Sequence, residues 1–164
     1  MDLSKLKPSD WMVGGGAVAF LIAMFLPWYG VSEGGFSTND SGFSYFLTGI
    51  IPFLLILAAV VAIVLPKLAD GVSIPDPIGP LPKAQAALIA AGVAAILVIL
   101  RLVIKSDNIN GFDLSAVGAG DEVQRKFGLV LAVLAAIAVA VGSFLNFQEG
   151  DAAGPSSTAP PTPF

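Results

Sequence analysis

Four stretches of the chain run apolar with little interruption: Trp11–Tyr29, Tyr45–Leu65, Ala84–Ile104 and Phe127–Phe147. Each is about 19–21 residues long, and a helix rising ~1.5 Å per residue needs ~20 to cross a ~30 Å hydrocarbon core. The pattern predicts an all-α integral membrane protein. Residues 1–149 form a four-helix bundle, and residues 150–164 follow as a disordered tail of Gly, Ala, Ser, Thr and Pro that has nothing with which to build a core.

The segments between the spans are short and polar. Gly30–Ser44 mixes glycines and small polar residues with Phe36 and Phe43 and leads into Tyr45 and Phe46, which fits an extended hairpin or a loop on the membrane surface. Its aromatics are expected at headgroup level, or else as a surface for an outer partner. The second connection carries Pro75, Pro77, Pro80 and Pro82 and reads as a stiff spacer. The third holds Ser106, Asp107, Asn108, Asn110, Gly111 and Asp113. With Gly111 set at the sixth position of a calcium loop, the first ligand would be Ser106 and the twelfth Val117. The bidentate acid is missing, and a turn explains the composition.

Within the spans, Ser9 or Asp10 is a plausible cap for the first helix. Trp11 and Trp28–Tyr29, about 26 Å apart along a helix, fit the two aromatic belts of a bilayer. Pro27 should end that helix. The stretch closes on bulky Pro27-Trp28-Tyr29, where a signal-peptide cleavage site needs small residues, so it reads as a retained span. Pro52 marks either a kink or a tolerated helix start, and Pro66 closes the second span.

Lysine and arginine counts set the orientation. Lys5 and Lys7 precede the first span, whereas Gly30–Ser44 carries only Glu33 and Asp40. That contrast places both termini in the cytoplasm and the chain, multi-pass, in the cell (plasma) membrane. Lys105, Arg125 and Lys126 in the third connection pull the other way, accompanied there by Asp107, Asp113, Asp121 and Glu122.

Small residues recur every four positions: Gly15, Ala19 and Ala23 in the first span, Ala87, Ala91 and Ala95 in the third, and Gly128, Ala132, Ala136 and Ala140 in the fourth. Such stripes let helices approach closely in lipid, so these faces are expected to pack inward. The second span has only Ala58 and Ala62, and is expected to be the most exposed or to face a partner.

Composition narrows the chemistry. The chain is 55% hydrophobic and 12% charged, against about 25% charged in an ordinary soluble domain. It has no cysteine and no histidine, which removes disulfide and thiol chemistry, thiolate metal sites, His- or Cys-ligated haem and the commonest general base. No cofactor, metal site or catalytic group is expected, and no basic cluster points to nucleic acid. Arg101 is the one charge set within an apolar run. Near the end of its span it can snorkel to the interface, pair with Asp107 or Asp113, or bind a lipid phosphate bidentately; a transport role is the remaining reading. The first span lacks the carboxylate that proton-coupled small multidrug exporters need.

The Ala/Val/Leu-rich spans, Pro27-Trp28-Tyr29, Leu100-Arg101-Leu102 and the Pro-rich tail together resemble small four-span actinobacterial membrane proteins of uncharacterised function. The resemblance implies the architecture and brings no activity. Claudin-like proteins share the topology, but their first-loop cysteine pair is absent here. The expectation is a non-catalytic accessory or scaffold subunit of a cell-envelope membrane assembly, partnered by lipids and by other membrane subunits or by itself; the alternative is a small channel or carrier for a solute or lipid.

Overall fold

A computed structural model of the chain describes residues 4, 6–33, 36–69, 71, 74, 78, 80–104, 108–109, 112–113, 116 and 123–152. In chain order the elements are helix α1 (Pro8–Phe25), strands β1 (Pro27–Glu33) and β2 (Phe36–Ser41), helices α2 (Ile51–Ile63), α3 (Leu65–Leu68) and α4 (Lys83–Val103), the two-residue strands β3 (Asn108–Ile109), β4 (Phe112–Asp113) and β5 (Gln124–Arg125), and helix α5 (Phe127–Ala152). Four helical segments, Pro8–Phe25, Phe46–Ile63, Lys83–Val103 and Phe127–Gly150, are long and apolar enough to cross a membrane.

The expectation of a helical architecture holds in the main. Helix dominates, but β1 and β2 form an antiparallel hairpin and β5 adds to the free edge of β1, giving a three-stranded sheet in the order β2-β1-β5. A separate hairpin joins β3 to β4. The sheet lies at the loop end of the bundle, where α1 and α4 finish and α5 begins.

The first helix starts and stops earlier than the apolar pattern implies. Lys7, not Ser9 or Asp10, is its N-cap, and the Lys7 backbone N–H donates to Asp10 Oδ2 at 2.8 Å. The carboxylate thus reaches back over the first turn, where the helix dipole also favours it. At the far end Leu26 is extended (φ −79°, ψ 156°), as a residue before proline tends to be. Pro27 then opens β1, so Trp28 and Tyr29 belong to a strand. Both are fully buried, so they form no lipid-facing belt; Trp11 is 54% exposed.

A π-helical turn, Phe46–Ile50, leads into α2, with Pro52 in the first turn of α2 itself and fully buried. The wide turn, closed by Ile50 N–H on the Tyr45 carbonyl at 3.1 Å, sets the direction of entry just before the proline. Pro66 lies inside the short α3, which follows α2 after Val64. α5 runs on to Ala152, so Gly150–Ala152 are helical; the rest of the expected tail lies outside the described residues.

α1 packs along α5, α5 along α4, and α4 along α2, while α1 and α2 touch more lightly. The fourth span is 50% buried, the first 39%, the second 33% and the third 28%. The third span, rather than the second, is therefore the most exposed, and α5 is the central helix. Ala87, Ala91 and Ala95 are buried, as are Ala132 and Ala136; Gly128 backs onto Leu26 and Pro27. In α1 the phase differs from the expected stripe. Gly15 is exposed and meets nothing within 4 Å, Ala19 is half-buried and Ala23 is buried. The close approach is made at Gly16, where a Cβ would stand 2.8 Å from Val139 Cγ2 and 3.1 Å from the Ala135 carbonyl oxygen. The inward face is Val13, Gly16, Phe20, Ala23 and Met24.

The outer surface is apolar on every long helix: Val18, Ile22 and Phe25, then Leu54 and Leu57, then Val93 and Ile96, then Leu134 and Ile137 are all exposed. Soluble monomers rarely expose contiguous apolar patches beyond a few hundred Å².

Gly16→Leu should destabilise the bundle by about 1–3 kcal/mol, the usual cost of overpacking, and Gly15→Leu should leave monomer stability unchanged. Thermal unfolding in detergent checks both; equal melting temperatures for the two variants would contradict this packing.

Candidate functional site

Polar side chains gather at the two ends of the bundle. At the end where α1 begins and α5 finishes, Asp10 is the organising residue. It is 1% exposed, and Oδ1 accepts from Lys67 Nζ at 2.5 Å and from Asn146 Nδ2 at 2.7 Å, while Oδ2 holds the Lys7 backbone N–H. One carboxylate therefore ties α1 to α3 and α5. Beside it Lys7 pairs with Glu149 at 3.1 Å, and Ser9 Oγ donates to the same Glu149 oxygen at 3.2 Å. The reading that the first span lacks a carboxylate is corrected here: Asp10 stands in the first turn of α1, shielded by its partners.

Between α1 and α2, just below this cluster, lies an open groove of about 440 Å³. Gly14, Gly15 and Val18 form one wall and Val60, Val64 and Leu68 the other, with Asp10 and Trp11 at its end. It follows from the light contact between these two helices.

The sheet builds the second cluster. Trp28 Nε1–H donates to the Ala23 carbonyl at 2.8 Å, satisfying one of the last carbonyls of α1. Tyr29 Oη–H donates to the Arg101 carbonyl at 2.5 Å, and Arg125 Nη2 donates to the Val103 carbonyl at 3.3 Å, so β1 and β5 together close the end of α4. Lys126 N–H donates to the Trp28 carbonyl at 2.8 Å, which sets where α5 begins.

Arg101 sits inside this cap. Its Cζ lies 3.7 Å from the centroid of the Tyr45 ring and 4.9 Å from that of Tyr29. Tyr45 stacks on Trp28 at 6.1 Å, and Tyr29 meets Tyr45 edge to face at 5.7 Å. Tyr45 Oη–H donates to Asp40 Oδ2 at 3.2 Å and Ser44 Oγ to Asp40 Oδ1 at 3.4 Å, with Asp40 itself buried. Arg101 thus stacks beneath aromatic rings of the hairpin region instead of snorkelling free. The aromatic faces supply about 0.5–2 kcal/mol of cation–π attraction. They do nothing for the guanidinium edge, where Nε and Nη2 are both buried without a hydrogen-bond partner. Each such donor costs about 1–3 kcal/mol, more when charged, so the aromatic contacts alone do not compensate the edge. Of the two acids considered from the sequence as partners, Asp107 lies outside the described residues and Asp113 is exposed in β4.

The first-loop aromatics divide accordingly. Tyr45 turns inward, Phe43 packs edge to face on Phe25 at 5.1 Å, and Phe46 is exposed. Burial raises the phenol of Tyr29 above its usual range against the opposing pull of Arg101 and Arg125. Burial also pushes Tyr45 up to about 12, with Arg101 opposing and Asp40 adding to the rise.

Sequence reasoning identified Arg101 but missed Asp10, Lys67 and Asn146 as one group. A signal was present: all three lie within about a turn of the same end of their apolar segments, so antiparallel spans bring them to one depth. No group of three or more His, Asp or Glu residues arranged to hold a metal occurs among the described residues.

Lys67→Met should cost about 3–5 kcal/mol by stranding a buried carboxylate, and Asp10→Asn on top of it should recover most of that loss; unfolding of the two variants in detergent measures this, and additive losses would refute the pairing. The chain has two tyrosines, both in the cap, so phenolate absorbance reads this cluster alone. Unfolded tyrosine titrates near ~10. Between pH 10 and 12 the unfolded chain gives up protons that the folded cap retains, so stability is full below pH 10 and falls as pH rises toward 12. A half-developed phenolate signal at pH 10 in folded protein would contradict the burial. Comparison with protein-family models, curated proteins and solved structures gave no match for this chain.

Proposed function

We propose that the chain is a multi-pass protein of the cell membrane, both termini cytoplasmic, acting as a non-catalytic accessory or scaffold subunit of an envelope assembly. The observation that carries the placement is the apolar exterior on all four long helices, with the charged contacts collected at the two ends. A structural role is supported by how the polar groups are spent. Asp10, Lys67 and Asn146 satisfy one another across three helices, and Trp28, Tyr29 and Arg125 hold helix-end carbonyls. Half-buried Gly14 and exposed Gly15, in the wall of the groove, offer a surface for close approach by another helix, from a partner or a second copy.

One observation favours the channel or carrier reading. A buried carboxylate in the first helix of a small four-span protein is what a cation-coupled carrier needs, and Asp10 borders the groove between α1 and α2. Its ion pair with Lys67 and its position in the first turn of α1 weigh toward a fixed structural role.

Purification in a mild detergent should give a homo-oligomer or a stoichiometric complex, and Gly15→Leu should shift it to smaller mass without loss of fold; a strictly monomeric wild-type protein would count against the scaffold reading. Flux of a cation or organic solute in proteoliposomes, lost in Asp10→Asn, would replace it with the carrier. Because the chain has no cysteine, single cysteines at Ser4 and Ser37 report sidedness directly: an impermeant maleimide on intact cells should label the second and not the first.

A further inference from the structure

We propose that Arg101, Arg125 and Lys126 form a binding site for a phosphate oxyanion at the loop end of the bundle, supplied by the headgroup of an anionic membrane lipid. The inference draws on the membrane placement above but not on the scaffold role.

The guanidinium of Arg101 carries the argument. Nε and Nη2 share one edge of the planar group, the edge that meets two oxygens of a carboxylate or phosphate side by side. Both nitrogens are buried and unpartnered. The Tyr45 and Tyr29 rings, 3.7 and 4.9 Å from Cζ, hold the group against the hairpin region. A two-oxygen acceptor satisfies both donors at once. Among the described residues no carboxylate forms an ion pair with Arg101, and Asp40 is engaged by Ser44 and Tyr45.

Two more cations stand at the same rung of the sheet. Arg125 is the cross-strand partner of Tyr29 and bonds the Val103 carbonyl, two residues past Arg101. Lys126 runs over Gly30, where its Cε would lie 2.7 Å from an added Cβ. Neither cation makes an ion pair among the described residues. The end of the bundle where α1 begins differs: there Lys7 and Lys67 are each matched by an acid.

Depth selects a lipid as the source. The exposed apolar residues Phe25, Phe46, Val103 and Phe127 ring the bundle just at the ends of its helices, level with the cap. Lipid phosphates lie immediately beyond that boundary. The Nε/Nη2 edge is shut off from solvent in this conformation, so an anion reaches it only as the hairpin shifts slightly off α4, and binding should then hold the two together.

The test uses the full chain in nanodiscs of phosphatidylcholine alone or with phosphatidylglycerol, and in detergent with inorganic phosphate. Wild-type protein should retain about one phosphatidylglycerol per chain through delipidation, read by native mass spectrometry. It should also show slower amide exchange in β1 when that lipid is present. Arg101→Lys keeps the charge but lacks the fork, and should retain at least fivefold less lipid while still folding; Arg125→Gln/Lys126→Gln should weaken retention and its salt dependence together. Stabilisation by inorganic phosphate with no preference for phosphatidylglycerol would keep the oxyanion site but replace the lipid by a soluble anion. Wild-type protein that responds to neither probe would overturn the proposal, and so would an Arg101→Lys variant that binds as well as wild type. A loss of stability in Asp107→Asn matching that of Arg101→Lys, without lipid retention by the wild type, would assign the edge to the chain's own carboxylate instead. Protein that fails to enter nanodiscs at all would be a failure of the membrane placement, not of the site.

Discussion

A helix that ends away from water leaves its last carbonyls without partners, and the loop end of this molecule is organised around that constraint. α1 and α4 finish at the same level, and at each the C-cap N–H turns back onto one carbonyl, Leu26 onto Ala23 and Ile104 onto Leu100. Further donors come from outside. Trp28 serves Ala23, Tyr29 serves Arg101, and Arg125 serves Val103. Two of these donors lie on β1 and the third on β5, so the sheet is the device that delivers side chains to two helix ends at once. The turn from α1 into β1 is imposed by Pro27, which cannot extend the helix and holds Leu26 extended.

The opposite end solves a different problem with different chemistry. There α1 and α4 begin while α2 and α5 finish, and the groups left open at the start of α1 are N–H groups. An acid suits such an end, and Asp10 takes the Lys7 backbone N–H with one oxygen and Lys67 and Asn146 with the other. Because the ammonium of Lys67 is about one third exposed and Asp10 is fully enclosed, desolvation falls mainly on the carboxylate. Its three donors are what make burial tolerable. Elsewhere α1 and α2 meet lightly, so this ion pair between α1 and the short α3 that follows α2 ties their ends together, and the groove beneath it is the space that helix packing leaves open.

The four apolar segments were legible because length and composition alone define them. The sheet was only half legible. Glycine and polar spacing in Gly30–Ser44 pointed to a hairpin, but Pro27-Trp28-Tyr29 read as the end of a span. An aromatic residue is equally apolar facing lipid or buried under a cap, and nothing local separates the two. The packing phase of α1 was hidden for a related reason: Gly14, Gly15 and Gly16 are consecutive, so each of three faces offers a small residue, and the choice of Gly16 is made by Ala135 and Val139 on another helix. Asp10 passed as a cap because its decisive partners, Lys67 and Asn146, lie 57 and 136 positions away. Arg101 stood out as a charge among apolar residues, but its surroundings depend on Tyr29 and Tyr45, which reach it only through the fold.

The charge distribution of the folded molecule also bears on the proposed orientation. Among the described residues Arg101, Arg125 and Lys126 make no ion pair at the loop end, while Lys7 and Lys67 are paired with Glu149 and Asp10. A bare count of positive residues favours neither end, with Arg101, Lys105, Arg125 and Lys126 on one side and Lys5, Lys7, Lys67 and Lys83 on the other. Orientation, however, is set while the chain inserts, with the first span usually dominant and acidic residues contributing little. At that stage α1 carries Lys5 and Lys7 on one side and only Glu33 and Asp40 before the next span on the other. Arg125 and Lys126 are made some hundred residues later, and the rung they complete requires β1 to be already at its final side. Arg125 is held at the end of α4 by the Val103 carbonyl, and Arg101 lies against the rings of Tyr45 and Tyr29. On this argument their positions reflect the cap, and the orientation is read from the residues that precede α1.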